Sequence, residues 1–264
     1  MDILKETIEN LPKDIIDNVL LELIVGPKYT LLDWIYVNKL SVNGLSFNKS
    51  PGSIDFLEKK ISLHHSIPFG LHSNPNAILF LERYPEKINW SYLSTNPNAI
   101  HLLQENQEKI NWRFLSSNPN AIHLLEENPE KINWGFLSRN PNAIHLLQEN
   151  PYKICWTSLS GNPNAIRILE NNLNKVNWKF LSLNPNAIHI LEENLDKVNW
   201  KFLSLNPNAI HILEKNLDRV NWEFLSKNPN AIHILKNNLD KIDYIKLSTN
   251  PAIFEEEKSY LRKI

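Results

Sequence analysis

This sequence predicts an all-α fold: a solenoid of stacked 22-residue, two-helix repeats with helical caps. Three observations carry that reading. Asn-Pro returns at Asn74, Asn96, Asn118, Asn140, Asn162, Asn184, Asn206, Asn228 and Asn250, each step being 22 residues. Between these marks the text barely changes: residues 118–139 read NPNAIHLLEENPEKINWGFLSR and residues 184–205 read NPNAIHILEENLDKVNWKFLSL. Within a unit the apolar residues recur at helical spacing, and one unit is too small to bury its apolar face alone, so neighbours must stack.

In chain order, residues 1–44 do not follow the period and read as an N-terminal helical module. Residues 45–73 read as a degenerate repeat, with Ser50-Pro51 standing for Asn-Pro. Residues 74–249 hold eight regular repeats, and 250–264, ending FEEEKSYLRKI, read as a charged capping helix. In the unit 118–139, Asn118 is a good N-cap and Pro119 suits the first helical position. The helix continues through AIHLLEE, Asn128 reads as a left-handed stop, and Pro129 ends it. Asn133 then caps a shorter helix, WGFLS. Ala121, Ile122, Leu124 and Leu125 share one face, with Ile132, Trp134 and Leu137 completing the expected core. With helices about 8–10 Å apart, eight units predict a rod or arc on the order of 70–80 Å long.

The net charge of −1 over 264 residues sets up no strong global field, which argues against nucleic acid. Cys155 is the only cysteine, so no intrachain disulfide forms and a reducing, cytoplasmic setting is expected. The opening MDILKETIENLPKD lacks the basic and apolar runs of a secretory signal, and VLLELIVG is too short for a membrane span.

Several rows of side chains are candidate sites. His101, His123, His145, His189, His211 and His233 share one repeat position, interrupted by Leu79 and Arg167. Metal binding needs ligand nitrogens about 2.0–2.1 Å from one ion, so stacked units favour an exposed polar row. The basic row Lys87, Lys109, Lys131, Lys153, Lys175, Lys197, Arg219 and Lys241 mostly follows an acid, which reads as a neutralised, solvated turn. The tryptophans from Trp90 to Trp222 read as core, and the repeated asparagines as caps whose amides can also bond between units. There is no glycine-rich phosphate loop and no nucleophile elbow. Cys155 replaces a repeated Asn, and His64-His65 lack a partner set, so the chain is expected to be non-enzymatic, without cofactor or metal. Positions that vary while the framework holds are expected at the surface. Arg113, Lys179, Lys201 and Glu223 belong to one such set, Arg139 and Lys227 to another; with the histidines they form the candidate partner surface.

Over residues 74–249 the NPNAIHLLE…KINWxFLS unit resembles repeat proteins encoded by giant DNA viruses of amoebae. That resemblance implies an origin, with host cytoplasm or virion as the setting, rather than an activity. Residues 10–47 resemble an F-box: Leu11-Pro12, then Ile15, Ile16, Val19, Leu20 and Leu23, then Leu31-Leu32 and Val37-Asn38-Lys39. The resemblance implies that Leu11, Pro12, Ile15, Ile16, Val19, Leu20, Leu31 and Leu32 contact the Skp1 subunit of a ubiquitin ligase while the repeats recruit a host target. The alternative for the same residues is a plain helical cap. The expected function is protein binding. A structural or virion-associated role is the alternative and nucleic-acid binding the third.

Overall fold

A computed structural model describes residues 28–60 and 67–257. Each regular unit opens at the Asn of Asn-Pro. In the unit 140–161, Asn140 Oδ1 accepts the Asn142 N–H at 3.0 Å and Pro141–Ala143 form a 3-10 turn. The helix Ile144–Glu149 follows, then a second 3-10 turn, Pro151–Lys153, and the four-residue helix Trp156–Leu159. The unit 118–139 keeps this order, with helices Ile122–Glu127 and Trp134–Leu137. The expected all-α array of two-helix repeats is therefore present, with the prolines setting short, tight turns between helices.

Local chemistry explains the joints. Asn133 caps the short helix as expected, its Oδ1 accepting the Phe136 N–H at 3.1 Å. Asn128 is not a left-handed stop: its φ is −132° and ψ 59°. Proline forbids the α region to the residue before it, which is enough to end the helix. The freed Asn128 amide donates to the Leu124 carbonyl at 3.0 Å.

The core is narrower than expected. Ala121, Leu125 and Leu137 are fully buried and Leu124 nearly so. Ile122, Ile132 and Trp134 are only half-buried. Two polar residues per unit, such as Asn140 and Ser138, are fully buried instead. A buried polar group needs its hydrogen bonds satisfied, and these residues satisfy one another across units. Asn140 Nδ2 donates to the Asn118 carbonyl, which opens the preceding unit, at 2.9 Å and to the Ser116 carbonyl, at the end of the unit before that, at 3.1 Å. With Oδ1 held by Asn142 N–H, the side chain uses two donors and one acceptor at close range, a set that only a short carboxamide supplies. Ser138 Oγ donates to the Trp134 carbonyl at 2.7 Å and accepts the N–H of Cys155, in the next unit, at 3.0 Å.

The asparagine ladder has no end. Asn74 donates to the Asn48 carbonyl at 2.7 Å, every later Asn repeats the bond to its predecessor, and Asn48 donates to the Asn250 carbonyl at 2.8 Å. The array is thus a closed ring of ten steps, averaging about 36° each, instead of the expected open rod or arc.

The tenth unit is composite. The C-terminal end supplies Asn250 and the turn Pro251–Ile253. The N-terminal end supplies the 3-10 turn Val37–Lys39 and the helix Val42–Ser46, capped by Ser41 Oγ. Ser41 N–H donates to Ser248 Oγ at 2.8 Å, continuing the serine bonds of the regular units across the seam. Where other units have their longer helix, two strands pair antiparallel: β1, Tyr29–Leu31, with β2, Phe254–Glu256.

Four expectations are corrected here. Asn48, not Ser50, occupies the Asn-Pro position of the degenerate unit, because the ladder runs through its amide. Residues 28–44 are not a separate module but half of a repeat. Phe254–Glu256 is a strand rather than the start of a capping helix, because Tyr29–Leu31 gives it a partner. Among the described residues the two ends cap each other; the rest of the expected caps, 1–27 and 258–264, lies outside the described residues.

Candidate partner-binding faces

Ring closure divides the surface by radius. Rows of equivalent atoms stand close together near the axis and farther apart away from it. Helices packed side by side lie about 8–10 Å apart. The aromatic row on the short helices is tighter: ring centroids are 6.4 Å apart for Tyr92–Phe114, 5.6 Å for Phe114–Phe136, 6.0 Å for Phe180–Phe202 and 5.6 Å for Phe202–Phe224. Adjacent units thus approach closely along this row, which is named the inner row below. Along the histidine row two long side chains meet end to end across each step; it is named the wide side below.

On the wide side, His101, His145, His189, His211 and His233 each place Nε2 2.7–2.9 Å from a glutamate of the preceding unit: Glu82, Glu126, Glu170, Glu192 and Glu214. His123 meets Gln104 instead, at 3.1 Å. These pairs are about half exposed, so each contributes little to stability. Among the described residues no group of three or more His, Cys, Asp or Glu is placed to hold a metal.

The basic row has a different partner from the one expected. Lys131 Nζ sits 4.3 Å from the centre of the Trp112 ring, in the preceding unit, and 3.0 Å from Asn128 Oδ1. Lys109 over Trp90, Lys153 over Trp134 and Arg219 over Trp200 repeat the arrangement at 4.6, 4.4 and 4.0 Å. Lys39 over Tyr244, at 4.6 Å, carries it across the seam. The adjacent acids matter less: Lys109 is 4.0 Å from Glu108. The tryptophans are half-buried: they pack against the core as expected and also carry a cation over the ring.

The variable positions gather around the aromatic row. Arg113 and Arg139 both lie over the Phe136 ring, at 4.9 and 5.5 Å. Lys179 lies over Phe202 and Lys201 over Phe224, each at 4.8 Å. Lys246 occupies the aromatic position of its own unit and pairs with Glu223 at 3.2 Å. Burial, and then the nearby Lys246 charge, holds Lys227 below the ordinary lysine range, with Glu223 acting the other way. At the three variable positions of the short helices the chain carries Arg113, Arg139, Lys179, Lys201, Lys227 and Lys246 against Glu223 alone. The near-zero net charge therefore hides a basic inner face. Sequence reasoning found six of these seven residues and missed Lys246. It also missed the phenylalanines beside them, although their recurrence was visible.

Of the candidate Skp1 contacts, Leu11, Pro12, Ile15, Ile16, Val19 and Leu20 lie outside the described residues. Leu31 is in β1, and Leu32 donates its N–H to the Ile253 carbonyl at 2.9 Å, so both belong to the seam. Among the described residues no helix is long and apolar enough to cross a membrane. Compared with family models, curated proteins and solved structures, the chain matches none of them.

Proposed function

We propose that this chain is a non-enzymatic ring scaffold that binds a protein partner through its inner aromatic and basic row. The observation that carries the reading is the division of labour within the unit. Fixed positions are spent on the ladder, the serine bonds and the core, whereas the positions that differ between units hold charge on one face. A photo-crosslinking residue at Thr95 or Gly161, beside the inner row, tests it against one at His123 on the wide side. Capture of a partner from the inner positions is expected. Capture only from His123 would overturn the reading.

The adaptor form of this proposal, with a ubiquitin ligase as destination, rests on residues 10–23, because Leu31 and Leu32 serve the seam. It expects Skp1 to co-purify and to be lost on Leu11→Ala with Pro12→Ala. A viral setting is supported by the wording of the repeat alone.

A further inference from the structure

We propose that the arc of the inner row from residue 178 to residue 249 is a docking face for an extended acidic peptide bearing leucine or phenylalanine side chains. This rests on the scaffold reading and names the partner's chemistry. Four cations lie on the arc, Lys179, Lys201, Lys227 and Lys246, with Glu223 as the one carboxylate among the same variable positions. Between them run Phe180, Phe202 and Phe224, and the half-buried Leu183 and Leu205 stand one turn away on the same helix ends. Cations interleaved with apolar side chains complement a chain that alternates carboxylates with apolar groups.

A single-stranded nucleic acid fits less well. Base stacking needs an open ring face. Here Lys179 and Lys201 cover the faces of Phe202 and Phe224, and neighbouring rings meet tilted or edge-on. The positive row is also broken: Thr157, Ser158 and Gly161 carry neither charge nor ring, so the arc is separated from Arg113 and Arg139. A polymer tracked by its phosphates requires a continuous stripe. A short peptide requires only three or four adjacent units.

The test is fluorescence anisotropy on the full chain with three labelled probes: a synthetic peptide alternating Glu with Leu and Phe, the same peptide with Lys in place of Glu, and oligo-dT. Lys179 and Lys201 are exposed, so the double variant K179E/K201E keeps its fold, which its melting curve checks. The acidic peptide should bind, weaken as salt rises, and lose about tenfold or more in affinity to K179E/K201E. R113E/R139E, beyond the break, should leave it unchanged. Equal binding of acidic and basic peptides, tighter binding of oligo-dT, or an equal loss in R113E/R139E would each overturn the assignment. If K179E/K201E still crosslinks its partner from Thr95 or Gly161 with full yield, the peptide assignment falls while the scaffold reading stands.

Discussion

Replacing Asn48 by alanine tests ring closure directly. Asn48 Nδ2 donates to Ser248 O at 3.0 Å and Asn250 O at 2.8 Å, and its Oδ1 accepts the Ser50 N–H at 2.9 Å. All three bonds are buried, so truncation strands the Ser248 carbonyl and the Ser50 N–H and leaves the Asn250 carbonyl with only the long 3.4 Å bond from the Ile253 N–H. With about 1 kcal/mol per bond and a further penalty for stranded polar groups, the loss is about 3–5 kcal/mol. Asn140→Ala removes the equivalent bonds inside one run of regular units and should cost the same. Asn142→Ala removes an exposed bond to the Pro119 carbonyl, where water substitutes, and should cost well under about 1 kcal/mol. Urea unfolding followed by tryptophan fluorescence measures all three. If Asn48→Ala costs no more than Asn142→Ala while Asn140→Ala costs several kcal/mol, the two ends do not meet in solution and the ring is wrong.

Three further outcomes are expected. His72 stands where other units have the bridging serine; its Nδ1 accepts the Asn89 N–H at 3.3 Å, and burial holds its pKa below the ordinary 6.5. The unfolded chain therefore takes up this proton first, so stability is full above about pH 6.5 and falls as pH drops toward the lower folded value. His72→Ser should remove that acid sensitivity, and parallel curves of melting temperature against pH for the two proteins would refute it. Cys155 begins its helix without a side-chain cap. Cys155→Asn should stabilise by about 1 kcal/mol in a calorimetric scan, and an unchanged melting temperature would count against the capping account. At Gly44, an added Cβ would lie 2.7 Å from Ser248 Cβ and 2.9 Å from the Ile245 carbonyl. Gly44→Phe, which restores the residue of the regular units, should therefore destabilise by about 2–3 kcal/mol in the same urea assay, and a neutral result would mean the seam is looser than described.

The unit was legible in the sequence because its signals are local. Asn-Pro announces a capped helix start, the Ala and Leu positions repeat at helical spacing, and Asn133 caps by reach along its own chain. What crosses a unit boundary was harder to read. Lys131 over Trp112 joins residues 19 apart, and counting along one helix does not find it. Ser138 reads as an ordinary helix end until the Cys155 N–H of the next unit appears beside it. The seam left a short trace: Leu45-Ser46-Phe47-Asn48 repeats the Leu-Ser-x-Asn of Leu93-Ser94-Thr95-Asn96. Proline after Ser50 drew attention two residues too far, yet the ladder needs the amide and not the proline. Charge segregation was hidden for a related reason. A net charge near zero sums faces that ring curvature keeps apart.

Closure also fixes where a partner can sit. In an open array every unit could carry an aromatic side chain at the inner position, and the row would run from end to end. In the ring the seam denies that space. Gly44 has the Ser248 side chain and the Ile245 carbonyl in the place of a Cβ, and Gly70 is similarly blocked by Ser46 and Phe47. The chain changes hands from its C-terminal to its N-terminal end just before Gly44, and the helices from there to Gly70 approach more closely than a phenylalanine allows. The aromatic row is therefore not a circle, and Ser158 divides what remains into two arcs. A partner reading the arc from 178 to 249 is placed in angle, running from Lys179 to Lys246, whose helix borders the seam. A perturbation of Asn48 should then lower stability without altering affinity in the surviving folded population, whereas Lys179 and Lys201 should do the reverse.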